Sequence, residues 1–301
     1  MYEQIAGNKR RTWLMMAGFI LLVAAVAWAV TILAGWGPVG VVVAVVVAGG
    51  SALLSYFNSD KVALAMSRAR PADPQEYARF HNLVEGLCIA GGLPKPRLYV
   101  IEDPAPNAFA TGRNPKHAAI AVTTGLFEKM NRVELEGVLA HELSHIKNYD
   151  ILVMTLAVTM VGVVALLSDF FLRFMFWGPR RDRRDTNDAG PIGAILVVLG
   201  ILLLLFAPLI ARLMQLAVSR RREFLADASG VHLTRYPPGL VSALRKLRDD
   251  TTVIDTASKA TAHLWIEEPL QLEPGRRGSR INSLFSTHPP LEERIAALEE
   301  M

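Results

Sequence analysis

Two histidines and a glutamate lie within five residues of one another in His141-Glu142-Leu143-Ser144-His145. Residues four apart on an α-helix share a face, so both imidazoles can aim a ring nitrogen at one metal ion. This spacing is a metalloprotease pattern. A zinc hydrolase takes three protein ligands and leaves a fourth position open, so a third donor has to come from elsewhere in the chain. Glu142, beside the first histidine, turns toward that open position and can act as general base. Taken alone, the pentapeptide also fits a solvated helix whose histidines make surface hydrogen bonds. Upstream, Asn131 suits a helix cap, and Val133, Leu135, Val138 and Leu139 recur near helical spacing, so an amphipathic helix is expected to carry the motif.

A third donor is available far downstream. Arg220-Arg-Arg-Glu-Phe-Leu-Ala-Asp227 puts Glu223 and Asp227 four apart, on one face of a helix. Two acids among arginines can be a surface salt-bridge array. Alternatively Glu223 completes the ligand set, and Asp227 accepts the outer N–H of a ligating histidine and fixes its tautomer.

The elements that must position these groups are unusually apolar. Of 301 residues, 51% are hydrophobic, which exceeds the norm for a soluble enzyme. Trp13 to Ala34 and Val39 to Phe57 carry no charge, and each is long enough to cross a hydrocarbon layer of about 30 Å. Only Gly35-Trp36-Gly37-Pro38 separates them, which predicts an antiparallel hairpin with Trp36 at an interface. Lys9-Arg10-Arg11 should hold the N-terminus in the cytoplasm. Ile151 to Ser168 and Ile192 to Ala211, joined through an Arg-rich linker, are near the minimum length for a span. They read either as a second membrane hairpin or as a pair of buried helices. With both arms crossing or neither, His141 and Glu223 end on the same side. The chain thus divides into 1–58, a transmembrane hairpin; 59–150, a first catalytic segment; 151–218, the second hairpin; and 219–301, a second catalytic segment.

Between the first hairpin and the histidine helix, Asn58 to Arg70 reads as a polar exit. A core helix with Tyr77, Phe80, Leu83, Val84, Leu87 and Cys88 follows, ended by Gly91-Gly92. Arg97 to Ile101 and Ala118 to Val122 read as short strands that can pair. The small-residue run Asn107, Ala108, Phe109, Ala110, Thr111 and Gly112 between them suits a loop or an edge strand, to which a peptide substrate could add itself through main-chain hydrogen bonds. The formal charge of +4 flanks apolar helices instead of alternating with aromatics, which argues against nucleic acid as a partner. The single cysteine, Cys88, rules out an intrachain disulfide and any multi-cysteine metal site.

Together, Leu93-Pro-Lys-Pro-Arg97, Pro106-Asn-Ala-Phe-Ala-Thr-Gly112, His141 to His145 with Asn148 and Asp150, Arg222-Glu-Phe-Leu-Ala-Asp227 and Ser286-Thr-His-Pro289 resemble the HtpX-type membrane zinc endopeptidases, relatives of the CAAX prenyl protease. The resemblance covers nearly the whole chain. It implies a mainly α membrane protein, with two apolar helical hairpins and a helical zincin-like catalytic domain containing a small β-sheet. It further implies one Zn2+ per chain on His141, His145 and Glu223, with Glu142 as general base and Asp227 behind a ligand. The implied partners are polypeptide substrates, damaged or misassembled membrane proteins, and the lipid bilayer. The implied location is the cell inner membrane, multi-pass, with the active site facing the cytoplasm. The reaction also needs a donor for the developing oxyanion, and His288, before Pro289-Pro290, is the candidate. The competing readings are a prenyl-type processing protease with a narrow substrate range, and a membrane adaptor whose zinc is structural.

Overall fold

In a β-strand successive side chains point to opposite faces, and strand β4 (Ala118–Thr123) uses this to serve two cores. Ala118, Ile120 and Val122 join one buried cluster, while Ala119 and Ala121 join another. The computed structural model of the chain describes residues 2–33, 37–157, 220–252, 264–266 and 289–301. Beside β4 run β2 (Arg97–Ile101), paired parallel with Leu98 opposite Ile120, and β3 (Ala108–Gly112), paired antiparallel with Ala110 opposite Ile120. The two-residue β1 (Arg70–Pro71) completes the order β1-β2-β4-β3, so β3 is an edge strand. The expected strands are therefore both present, and the small-residue run after Asn107 is a strand too.

One face of the sheet carries the main core. Helix α3 (Ala78–Gly91) contributes Phe80, Val84 and Leu87, the short α4 (Thr124–Lys129) contributes Leu126, and α5 (Arg132–Lys147) contributes Leu135, Leu139, Leu143 and Ile146. Gly92 ends α3 at φ 64°, a left-handed conformation that glycine adopts without a Cβ clash. Val133 departs from the expected core face of α5 and is exposed. The opposite face of the sheet receives Ala63 and Leu64 with Met154 and Trp265, and Trp265 packs edge-on against Phe109 at 4.9 Å.

Helices α1 (Tyr2–Leu33) and α2 (Gly37–Met66) form the expected N-terminal pair. The polar exit proposed for Asn58 to Arg70 is largely helical, since α2 continues to Met66. Ala63 and Leu64 pack on the sheet, and Asp60 pairs with Arg97 on β2, so tertiary contacts carry the helix beyond its apolar run. Ten large apolar side chains on α1 and α2 are exposed, among them Trp13, Leu21, Val39 and Leu54. The side chains of these two helices are described in short runs, and among the described residues no helix is long and apolar enough to cross a membrane. Residues 150–157 begin a helix; the remainder of the second apolar hairpin, the Arg-rich linker, Trp36 and His288 lie outside the described residues.

Candidate metal centre

Helix α5 starts where its sequence says it should. Asn131 Oδ1 accepts from the backbone N–H groups of Val133 and Glu134, and Glu134 Oε2 accepts from Asn131 N at 2.8 Å, closing a capping box. Glu134 also receives Lys246 Nζ at 2.7 Å and Ser242 Oγ at 2.6 Å from the helix Pro237–Asp249. Burial raises this carboxyl, but the Lys246 ammonium and the hydroxyl and backbone donors outweigh it and hold it below the ordinary range. The helices can meet because Gly137 has no Cβ, which would come within 2.8 Å of Leu240 N.

A second glycine sets the position of the third donor. Glu223 and Asp227 lie on the helix Arg220–Thr234, whose Gly230 faces the backbone of His141; a Cβ there would stand 3.0 Å from His141 N. Gly230 is seven residues after Glu223 and so on the same face. Close approach of the two backbones brings Glu223 to the histidines.

The resulting geometry is compact. His141 Nε2 and His145 Nε2 face each other at 3.1 Å, and each lies 3.6 Å from an oxygen of Glu223. A tetrahedral ion with bonds of about 2.0–2.1 Å separates its ligand atoms by about 3.3 Å. The three observed separations bracket that value, and His141, His145 and Glu223 form a group able to hold a metal ion. All three are buried.

Each imidazole is oriented by a carboxylate on its other nitrogen. His141 Nδ1 donates to Asp227 Oδ1 at 2.8 Å, and His145 Nδ1 to Asp150 Oδ2 at 3.2 Å. This fixes both tautomers with the Nε2 lone pair directed inward. Asp227 is in turn held by Arg294, which donates through Nε at 2.8 Å and Nη2 at 2.7 Å, and whose Nη1 reaches Ile266 O at 3.2 Å. Asp150 accepts from Asn8 Nδ2 of α1 at 2.7 Å, and the same amide donates to Asn148 O at 2.9 Å.

Charge balance also favours a divalent cation. Glu142, Glu223, Asp227 and Asp150 are all buried, and among the described residues the buried cations near them are Arg294 and Arg222. With neutral imidazoles, these carboxylates exceed the buried cations among the described residues by two, and burying such an excess is strongly unfavourable. A divalent ion closes the balance. Without one, protons must do so: burial lowers His141, yet Asp227 outweighs it and raises the imidazole to about 9. Burial likewise pushes Glu142 above the ordinary carboxylate range.

The structure thus brings together His141, Glu142, His145, Glu223 and Asp227. The sequence reading missed Asp150, Arg294 and Asn8 as parts of the site. Asp150 stands among the quoted motif residues without a role. For Arg294 a signal exists: it is a cation three residues after Leu291 and four before Leu298, on an otherwise apolar face of the helix Leu291–Glu299. Asn8 offers no signal.

Residues 74–301 match Peptidase family M48. The chain belongs to this family. M48 membership makes it a metalloprotease, and full-length relatives place it with the HtpX-type members. A protein of Caldanaerobacter subterraneus subsp. tengcongensis named "Protease HtpX homolog" is 44% identical over 305 residues, covering 100% of this chain and 98% of its own. A protein of the same name from Tropheryma whipplei strain Twist is 46% identical over 303 residues, with the same coverage. Among solved structures, S. mikatae Ste24p shares the fold, with a TM-score of 0.52 at 17% identity over 99% of this chain and 67% of that one.

Proposed function

We propose that this M48 protease is a zinc endopeptidase anchored in the bacterial inner membrane, with His141, His145 and Glu223 as ligands and its active site on the cytoplasmic face. The observation that carries the reading is the close grouping of the two imidazole Nε2 atoms, 3.1 Å apart, with a Glu223 oxygen 3.6 Å from each, in a buried site where carboxylates outnumber the cations among the described residues by two. A bound Zn2+ supplies Lewis acidity toward the scissile carbonyl. Glu142 adjoins the ligands and is buried, and its raised pKa suits a base that takes a proton from the attacking water and returns it to the leaving amine nitrogen. Asp227 and Asp150 keep both rings in register throughout. His288 is proposed as the donor to the oxyanion on its place before Pro289-Pro290 alone.

For the substrate, the supporting feature is edge strand β3. Asn107 O accepts from Thr123 N at 3.0 Å, so the alternation of an antiparallel ladder turns the backbone groups of Ala108, Ala110 and Gly112 away from β4. Ile266 N already donates to Ala108 O, and Gly112 N donates to Thr155 Oγ1. Ala110 is then the position at which a polypeptide backbone pairs. Damaged or misassembled membrane proteins are the proposed substrate class. Membrane anchoring rests on the exposed apolar residues of α1 and α2 and the uncharged runs that contain them.

Purified full-length chain should contain about one zinc ion and cleave casein, and a chelator should abolish cleavage. Glu142→Gln should keep the metal and lose roughly 10²- to 10⁴-fold in rate. Full activity in metal-loaded Glu142→Gln would overturn the mechanism. Equal inactivity of both forms, with metal bound, would favour the adaptor reading.

A further inference from the structure

Away from the metal centre, a half-open cleft of about 680 Å³ lies where α1 meets the catalytic domain. Its walls come from the start of α1, Tyr56 of α2, the turn after α3, the β3–β4 connection at 113–116, and Tyr149 with Leu152. Three cations line it, Lys9, Arg113 and Lys116, and no carboxylate does. Among the described residues, none of the three is in an ion pair. Lys9 Nζ stands 4.9 Å over the Tyr149 ring, and Arg113 donates to Phe57 O at 3.2 Å while lying over the Phe57 ring. Phe57 and Trp13 are themselves exposed.

The cleft has apolar lining beside its cations. Along α1 the cation Lys9 is followed one turn later by Trp13 and then Met16, where the uncharged run begins, and these line the cleft together with Leu152. A cluster of cations without acids selects an anion, and the apolar continuation selects an anion attached to a hydrocarbon. Tryptophan at this level is what a boundary between headgroups and acyl chains favours.

We propose that this cleft binds an anionic phospholipid, its phosphate against Lys9, Arg113 and Lys116 and one acyl chain against Trp13, Met16 and Leu152. The proposal rests on the membrane-anchored reading above. The lipid would occupy the seam between anchor and protease, next to Asn8 and Asp150 in the chain, and would fix how α1 docks.

The test uses the full-length chain in nanodiscs of phosphatidylcholine containing one-fifth phosphatidylglycerol. After release from the disc, native mass spectrometry counts the lipids that remain bound. Retained phosphatidylglycerol should exceed its share in the bilayer, and the Lys9→Gln, Arg113→Gln, Lys116→Gln triple variant should lose that excess by roughly tenfold or more. Casein cleavage in the triple variant checks that it folds, and the single Lys116→Gln change at an exposed residue should show a partial loss in any case. Retention of phosphatidylglycerol by the wild type at no more than its one-fifth share, or undiminished retention by the variants, overturns the site. Displacement of the lipid by millimolar inorganic phosphate would show a phosphate site and also overturn it. Flotation with phosphatidylcholine vesicles separates the two readings: a chain that floats without lipid preference sinks this proposal alone, and one that does not float sinks the membrane reading with it.

Discussion

Removing the guanidinium of Arg294 should damage this protein more than any surface substitution. The side chain is fully buried, donates twice to Asp227 at 2.7 and 2.8 Å, and donates once to Ile266 O. Arg294→Met keeps much of the volume but leaves Asp227 as a buried anion facing only the His141 ring. Breaking a buried pair in this way costs about 3–5 kcal/mol. For a domain of this size, each kcal/mol lowers the melting temperature by roughly 2–4 °C, so the expected fall is about 10 °C. The assay is thermal unfolding in detergent with chelator present, because a bound metal would stabilise wild type and variant unequally. Adding Asp227→Asn to Arg294→Met removes the stranded charge and should recover part of the loss, a coupling that a double-mutant cycle measures. Melting of Arg294→Met within 2 °C of wild type, or a double variant no better than the sum of the singles, would refute the buried-pair argument.

Four further outcomes are expected. Asn8→Ala, which strips one donor from Asp150, should weaken metal affinity by roughly 10- to 100-fold without preventing membrane insertion, as read by competition with a chromogenic chelator; unchanged affinity would remove Asn8 from the site. Gly230→Val should push the Glu223 helix off α5 and lower metal affinity more than Gly230→Ala does, since the atoms in the way are backbone and cannot swing aside; equal affinity in all three proteins would contradict the close approach. Because the metal-free His141 is raised to about 9, its proton adds stability that is complete below the ordinary imidazole value and is lost as pH rises through about 9. Metal uptake at pH 7.5 must therefore release a proton, visible as a calorimetric heat that changes with the ionisation enthalpy of the buffer, and identical heats in two buffers would contradict it. For Asp227, burial raises the carboxyl but Arg294 and His141 lower it further, so its stabilising share is present above the ordinary carboxylate range and lost as acid brings the pH through its lower folded value; Asp227→Asn should flatten that part of the acid-unfolding curve, and an unchanged curve would deny it.

How much of this was legible in the sequence depended on distance along the chain. The facing histidines, the Asn131 cap and the pairing of Glu223 with Asp227 on one helix face are local, set by a period of 3.6 residues and by turn chemistry. The strands at 97–101 and 118–122 show in the same way, through β-branched residues between turn signals. That β2 and β4 run parallel while β3 takes the edge does not show, because register is settled by which faces find buried partners. Asn8, Asp150 and Arg294 are harder still. Asn8 meets Asp150 across 142 residues and Arg294 meets Asp227 across 67, and no local pattern encodes a contact at such range. The close approach at Gly230 was hidden for a similar reason: a glycine inside a helix reads as a weak point until the neighbouring backbone is known.

The amide of Asn8 has a consequence for how the enzyme comes into being. It belongs to α1, and the aspartate it steadies lies 142 residues further along the chain. Until α1 has docked, His145 lacks the full brace behind its outer nitrogen, so the site is fully braced only in the finished tertiary structure. A chain cut free of α1 would retain His141, Glu142, His145 and Glu223, and would still lack one donor to Asp150. Helix α1 is thus a structural part of the metal centre described above, joined to it through the Asn8 amide.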